Sequence, residues 1–148
     1  IKPKPKTQAE ILNGPKGITS FFDMAVLENP KKHEIMFLGY PKEASIYFNA
    51  YFRDYYKMLN KKKIFGRVIY YYETWFLKNR NKRKYVKQRY MKKGVTTPTF
   101  IVIFGDYVGN IIFTPEQKLC IMIKNKEVAK NYKNYFEIAW KQSIKTGK

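Results

Sequence analysis

The last third of the chain alternates short apolar runs with turn residues, a pattern that predicts strands joined by tight turns. Phe100–Phe104 is apolar at every position, which is typical of a strand covered on both faces. Gly105-Asp106 predicts a hairpin turn into a second strand at residues 108–113, because glycine accepts the positive φ of such turns. A second turn at residues 114–117 leads to a third strand at residues 119–123. We therefore expect an antiparallel meander.

An amphipathic helix follows this meander. Asn125 is a favourable N-cap, and Glu127 lies in the first turn, where the helix dipole favours a carboxylate. Apolar residues then recur at helical spacing, at Val128, Tyr132, Tyr135, Phe136, Ala139 and Trp140. The spacing predicts a helix that covers one face of the sheet.

The first half of the chain predicts a strand–helix–strand unit. A helix at residues 17–28 precedes a strand at 34–40, a long aromatic helix at 42–61 and a strand at 65–73. This order favours parallel pairing of the two strands. Residues 1–16 are rich in proline and lysine and predict a linker with at most a short helix at 8–13. We expect one α/β domain at residues 17–148, with a mixed sheet of five or six strands.

Residues 75–98 fit no single pattern. Residues 75–84 are helical at best, and the helix could continue to residue 91. Alternation over residues 86–91 instead permits a short, lysine-rich edge strand.

The 148-residue chain is strongly basic, with 30 Lys and Arg against 11 Asp and Glu and a net charge of +19. Such a charge attracts polyanions, but it also occurs on surfaces that are only solvated. No apolar run approaches the length of a membrane span, no signal peptide is visible, and the single cysteine suits a cytoplasmic protein. We expect no membrane contact.

Residues 78–93 hold nine cations and no acid, interleaved with tyrosines. Cations neutralise phosphates and aromatic rings stack on unpaired bases, so this segment is a candidate nucleic-acid contact. Its alternative is a solvated basic loop and edge. The candidate contacts are Lys78, Arg80, Lys82, Arg83, Lys84, Lys87 and Arg89.

The chain closes with two motifs, VIFGDYV and IMIKNKEVAKNYKNYFEIAW, that together resemble the C-terminal part of archaeal TrmB-type transcriptional regulators. The resemblance extends back through Pro98-Thr99 and the strand at residues 34–39 to Gly17-Ile18. It implies the edge strand near residue 86 and one half of a phospholipase-D-like domain. Enzymes of that superfamily carry the motif H-x-K-x4-D.

Only the aspartate of that motif is present here. Counting back from Asp106 places Thr99 at the histidine position and Ile101 at the lysine position, so neither a phosphohistidine nor an anion site can form. The single histidine, His33, and the single cysteine, Cys120, offer neither a typical zinc site nor a supported catalytic dyad. We therefore expect no enzyme activity, no catalytic or metal-binding residues and no cofactor.

The resemblance implies a non-catalytic effector-sensing or dimerisation domain of a DNA-binding regulator. We expect a homodimer that contacts DNA mainly through an N-terminal winged-helix part that precedes this chain, and that responds to an unidentified small-molecule effector. The carboxyl ends of parallel strands are common ligand sites, which makes Gly39, Tyr40, Tyr72 and Glu73 the candidate effector crevice. The alternative function is a stand-alone nucleic-acid-binding module that uses residues 78–93.

Overall fold

The computed structural model describes residues 7–74 and 84–145. The strands are β1 (Gln8–Asn13), β2 (Ile35–Tyr40), β3 (Gly66–Tyr70), β4 (Val86–Tyr90), β5 (Phe100–Phe104), β6 (Tyr107–Phe113) and β7 (Lys118–Lys124). The helices are α1 (Gly14–Leu27), α2 (Lys42–Tyr47), α3 (Asn49–Lys62) and α4 (Lys126–Gln142), and a 3₁₀ turn spans Tyr72–Thr74.

The strands form one mixed sheet in the order β1-β7-β6-β5-β2-β3-β4. The predicted meander of β5, β6 and β7 is confirmed, as is the parallel pairing of β2 with β3 across α2 and α3. Strand β4 lies at the edge, parallel to β3, so the strand interpretation of residues 86–90 is confirmed. The sheet has seven strands in the described part of the chain, which is more than the five or six expected.

Helices cover both faces of the sheet and enclose two apolar cores. Aromatic residues dominate the core under α1 and α3, where the Phe22 ring contacts the rings of Phe52, Tyr55 and Phe100. The smaller core lies under α4 and centres on Phe136, which is fully buried. Helix α4 begins as predicted, because the Asn125 side chain accepts a hydrogen bond from the amide of Val128.

The expected linker with a short helix at residues 8–13 is wrong. These residues form β1, which pairs antiparallel with β7 from Gln8 opposite Lys124 to Asn13 opposite Leu119. The strand is exposed at nearly every position, so its sequence lacks the apolar alternation that marks a half-buried strand. Pairing with the otherwise open backbone of β7 holds it in the sheet.

Two predicted helical stripes also differ in detail. The helix expected at residues 42–61 is divided at Phe48 into α2 and α3, and Tyr47 is left 55% exposed. On α4, the predicted core residue Tyr135 is 54% exposed, whereas Ala129, which was not predicted, is buried. In the described ranges no helix combines the length and apolarity needed to cross a membrane.

Candidate nucleic-acid interface

A basic cleft of about 780 Å³ opens where β3 and β4 extend beyond the cover of α4. We call it the β4 cleft. Val68 and Val86 point into the core beneath α3, so strand alternation places Arg67, Lys87 and Arg89 on the opposite face. Register sets Arg67 beside Lys87. Five cationic residues and one carboxylate, Glu34, line the cleft. The full lining is Glu34, Phe65, Gly66, Arg67, Lys84, Tyr85, Lys87, Gln88, Arg89, Trp140 and Lys145.

Arg67 forms the rigid floor of the β4 cleft. Its guanidinium donates to both oxygens of Glu34 at 2.7 and 2.8 Å, and to both oxygens of Glu137 at 2.5 and 3.2 Å. It also lies over the rings of Phe136 and Trp140, 5.0 and 5.1 Å from their centroids. Burial alone would lower the pKa of Arg67, but the hydrogen bonds to both glutamates outweigh burial and raise it. The charge of Arg67 is therefore permanent and already compensated.

Arg89 occupies the wall of the cleft and connects it to the C-terminal segment. Its guanidinium lies 5.1 Å from the Trp140 ring centroid and donates to the backbone oxygen of Ser143 at 2.9 Å. The next residue, Tyr90, exchanges two backbone hydrogen bonds of 2.7 Å with Ile144. Ile144 thereby covers the carboxyl end of β4, and the segment that precedes Tyr90 lines the cleft.

The rim of the cleft carries exposed cations beside aromatic rings. Lys84, Lys87 and Lys145 are exposed, and the Lys84 ammonium lies 5.6 Å from the centroid of the Tyr85 ring. Tyr85 contacts Phe65, with ring centroids 4.9 Å apart. Long, solvated ammonium groups next to open rings can neutralise phosphates while the rings contact bases.

Three of the predicted nucleic-acid contacts, Lys84, Lys87 and Arg89, come together in this cleft. The other four, Lys78, Arg80, Lys82 and Arg83, lie outside the described residues. The sequence interpretation missed Phe65, Arg67, Trp140 and Lys145. Phe65 and Arg67 could have been found from alternation, because residues 65 and 67 share a face with residues 85, 87 and 89 of the neighbouring predicted strand. The contribution of α4 depends on tertiary packing.

The candidate effector crevice lies at the opposite end of β2 and β3. Gly39 has φ of +77°, and a Cβ added there would lie 2.1 Å from the Thr97 hydroxyl oxygen, so Thr97 fills the space above it. Tyr40 is 2% exposed and packs among core rings. Tyr72 and Glu73 lie in the 3₁₀ turn with partly or fully exposed side chains. A small cavity of about 170 Å³ lies nearby, lined in part by Leu38 and Thr97.

The residues around β5 at this end are neutral. The Thr99 hydroxyl donates to the Asn110 side-chain oxygen at 3.1 Å, and Ile101 is 5% exposed inside the sheet. Asp106 lies at the opposite end of β5, in the exposed β5–β6 turn, where its backbone oxygen accepts from the amide of Asn125 at 2.9 Å.

Three solved structures share this arrangement of strands and helices. NucT from Helicobacter pylori superposes with a TM-score of 0.70 over 95% of this chain and 99% of its own. TrmBL2, an archaeal chromatin protein with a novel mode of DNA binding, gives 0.66 over 99% of this chain and 57% of its own. Nuc from Salmonella typhimurium, a phospholipase D family member, gives a TM-score of 0.60 over 93% of this chain and 97% of its own. The chain has a phospholipase-D-like fold.

Sequence identity to each of these proteins is 11%, so the likeness establishes the fold and no residue role. No protein-family profile and no curated protein sequence matches the chain. The chain spans 57% of the length of TrmBL2. Within the phospholipase-D-like fold, the β4 cleft lies at the amino ends of β2, β3 and β4, whereas the candidate effector crevice lies at the carboxyl ends of β2 and β3.

The single cysteine, Cys120, is buried, whereas the single histidine, His33, is exposed. Cys120 is fully buried in β7, and burial raises the pKa of its thiol to about 12, which keeps it protonated and unreactive. His33 is exposed before β2, beside Gly105. Across residues 7–74 and 84–145, no group of three or more His, Cys, Asp or Glu side chains is arranged to hold a metal ion.

Proposed function

We propose that this chain is a non-catalytic, phospholipase-D-like domain that binds nucleic acid through the β4 cleft. The carrying observation is the cleft itself, where five cations face one carboxylate and three of the cations are exposed lysines. Glu34 is already engaged by Arg67, so the positive potential of Lys84, Lys87 and Lys145 is available to an anionic ligand. The fold of TrmBL2, a chromatin protein that binds DNA, supports a ligand of this class.

The proposal of a non-catalytic role rests on the chemistry of β5. Counted back from Asp106 along the sequence, Thr99 and Ile101 take the histidine and lysine positions of the H-x-K-x4-D motif that the resemblance brings to this chain. The Thr99 hydroxyl is engaged with Asn110, and Ile101 is packed in the sheet. A hydroxyl without an adjacent base is a poor nucleophile.

A second candidate function is an effector-sensing or dimerisation domain of a DNA-binding regulator. The likeness to TrmBL2 favours it, because nearly all of this chain corresponds to about half of that protein. In this function the chain forms a homodimer, an N-terminal part reads DNA, and an effector binds at the carboxyl ends of the strands near Gly39, Tyr40, Tyr72 and Glu73. Sedimentation would test this function by detecting a dimer, and thermal unfolding with and without candidate effectors would test it by detecting a ligand-dependent rise in Tm.

The primary proposal is tested by measuring the affinity of the chain for a random-sequence 20-base-pair duplex over a salt series. If Lys84, Lys87 and Lys145 each neutralise one phosphate, log Kd should change with log salt by a slope of about 2.7, which is roughly a 40-fold loss between 50 and 200 mM salt. Cations outside the cleft would add to that slope.

The location of the site is tested with matched charge variants. Lys84→Met with Lys87→Met should reduce the slope by about 1.8, since two phosphate contacts are removed. Lys126→Met with Lys130→Met removes the same charge from exposed positions in the first half of α4, away from Trp140, and should leave the slope nearly unchanged. Equal losses in the two pairs would reject the β4 cleft, and negligible wild-type binding at 150 mM salt to both the duplex and a single strand of the same length would reject the function.

A further inference from the structure

An aromatic pair lies at the mouth of the β4 cleft, on the face that α4 leaves uncovered. Phe65 is 59% exposed, although it immediately precedes a strand whose other residues are mostly buried. Its ring centroid lies 4.9 Å from that of Tyr85, and the two planes meet at 58°. Since the rings are tilted and not stacked, much of the Phe65 surface stays open to solvent beside the cations.

We propose that the β4 cleft binds single-stranded nucleic acid, with an unpaired base stacked on Phe65 and Tyr85. The proposal rests on the proposed function and adds the class of ligand that the same site selects. It is a property of the amino ends of the parallel strands, remote from the crevice at their carboxyl ends.

The backbone that carries the ring pair is hydrogen-bonded to strands β2 and β3. The backbone oxygen of Phe65 accepts from the amide of Ile35 at 3.0 Å, and the amide of Gly66 donates to the backbone oxygen of Tyr85 at 2.9 Å. Phe65 and Tyr85 therefore each lie one residue before a strand, and their backbone oxygens are hydrogen-bonded to the sheet. A preorganised ring loses little conformational freedom when a base stacks on it.

Cations flank the ring pair on both sides. Lys84 and Lys87 lie within the β4 cleft, next to Tyr85. On the other side, Lys61 and Lys62 end α3 and Lys63 follows it, and together with Lys32 they line a second cavity of about 460 Å³. Ile64 lines this second cavity and is followed directly by Phe65, which lines the first. A strand crossing the rings would find lysines for its phosphates before and after the stacked base.

The exposed ring distinguishes between anionic ligands. A duplex presents phosphates on its outside and keeps its bases stacked within, so it can use the lysines but cannot cover Phe65 with a base. A single strand can present both groups, because its bases are free to splay onto aromatic side chains. The combination of open rings and flanking cations therefore favours the unpaired strand.

The test compares fluorescence-anisotropy titrations of the full chain with a labelled 12-mer oligothymidylate, its uridine equivalent and a 12-base-pair duplex, all at one salt concentration. Phe65→Leu keeps an apolar side chain of similar size but removes the ring. It should weaken binding of single strands by roughly 5- to 160-fold, which is the range for loss of one stacked base. Duplex affinity should change by less than about twofold, since the lysines remain. Phe65→Trp should retain single-strand affinity.

Tyr47→Leu provides the matched control, because Tyr47 is 55% exposed and lies on α2, outside both cavities. It should leave the affinity for single strands unchanged. If wild type binds the duplex as tightly as the single strands and Phe65→Leu alters neither, the single-strand proposal is overturned while nucleic-acid binding stands. If wild type binds none of the three probes, the proposed function fails as well.

Discussion

Replacing Arg67 with Met should destabilise the domain, because this one guanidinium joins β2, β3 and α4. The change removes a two-pronged hydrogen bond to Glu34, with distances of 2.7 and 2.8 Å, and a second contact to Glu137. The Arg67 side chain is 17% exposed, Glu34 31% and Glu137 46%, so these pairs lie between surface and buried limits. We expect about 1–2 kcal/mol from the Glu34 pair, discounted for solvent screening, and about 1 kcal/mol from lost stacking on Phe136 and Trp140.

The summed loss of about 2–3 kcal/mol corresponds to a fall in Tm of roughly 4–12 °C for a domain of this size. Urea unfolding of Arg67→Met, Glu34→Gln and the double variant would isolate the pair, and we expect a coupling energy of about 1 kcal/mol or more. Arg53→Met, which removes an exposed arginine of α3, is the control and should change stability by less than about 0.5 kcal/mol. A coupling energy near zero would refute the view that the Arg67–Glu34 pair stabilises the fold.

Two further predictions concern buried ionisable groups. Burial, followed by the hydrogen bond and charge of Asp23, raises the pKa of Tyr51 well above its ordinary value, and burial does the same for Tyr55. Both tyrosines stay protonated in the fold at pH values where the unfolded chain ionises, so their contribution to the free energy of unfolding should be constant below about pH 10 and fall above it. The variant with Tyr51→Phe and Tyr55→Phe should make that decline shallower in urea unfolding between pH 8 and 11. An unchanged decline would contradict the assignment. The Cys120 thiol, with its pKa raised to about 12 by burial, should react with a chromogenic disulfide reagent at pH 8 only as fast as the chain unfolds; rapid native-state labelling would show that the thiol is accessible.

Much of the fold could be predicted from local pattern. Strand β5, buried at all five positions, reads as an uninterrupted apolar run, and the Asn125 cap of α4 is a local signal that the structure reproduces. Strand β1 could not be predicted in this way, because an exposed edge strand takes its stability from the partner backbone and not from its own side chains. The division at Phe48 is likewise invisible in an aromatic stripe that continues on both sides of it.

Only the contiguous cations of the candidate site could be predicted from the sequence. The cations near Lys84 stand out because they are contiguous in the chain. Arg67 and Trp140 are isolated residues more than 70 positions apart, and only the packing of α4 on β3 brings them to within 5.1 Å. The meaning of Phe65 depends on its exposure, which composition and periodicity do not report.

The pairing of Gln8 with Lys124 sets the order in which the domain can assemble as it is synthesised. Strand β1 leaves the ribosome before its partner β7, which follows more than a hundred residues later, on the order of 5–25 s at ordinary elongation rates. Helix α1 waits equally long, since its apolar face with Ile18, Phe21 and Phe22 packs in the core to which β7 contributes. Such non-local closure also slows folding once the chain is complete. The nascent chain therefore passes through an extended interval with an aromatic helix face uncovered, and that interval is when it is most exposed to aggregation.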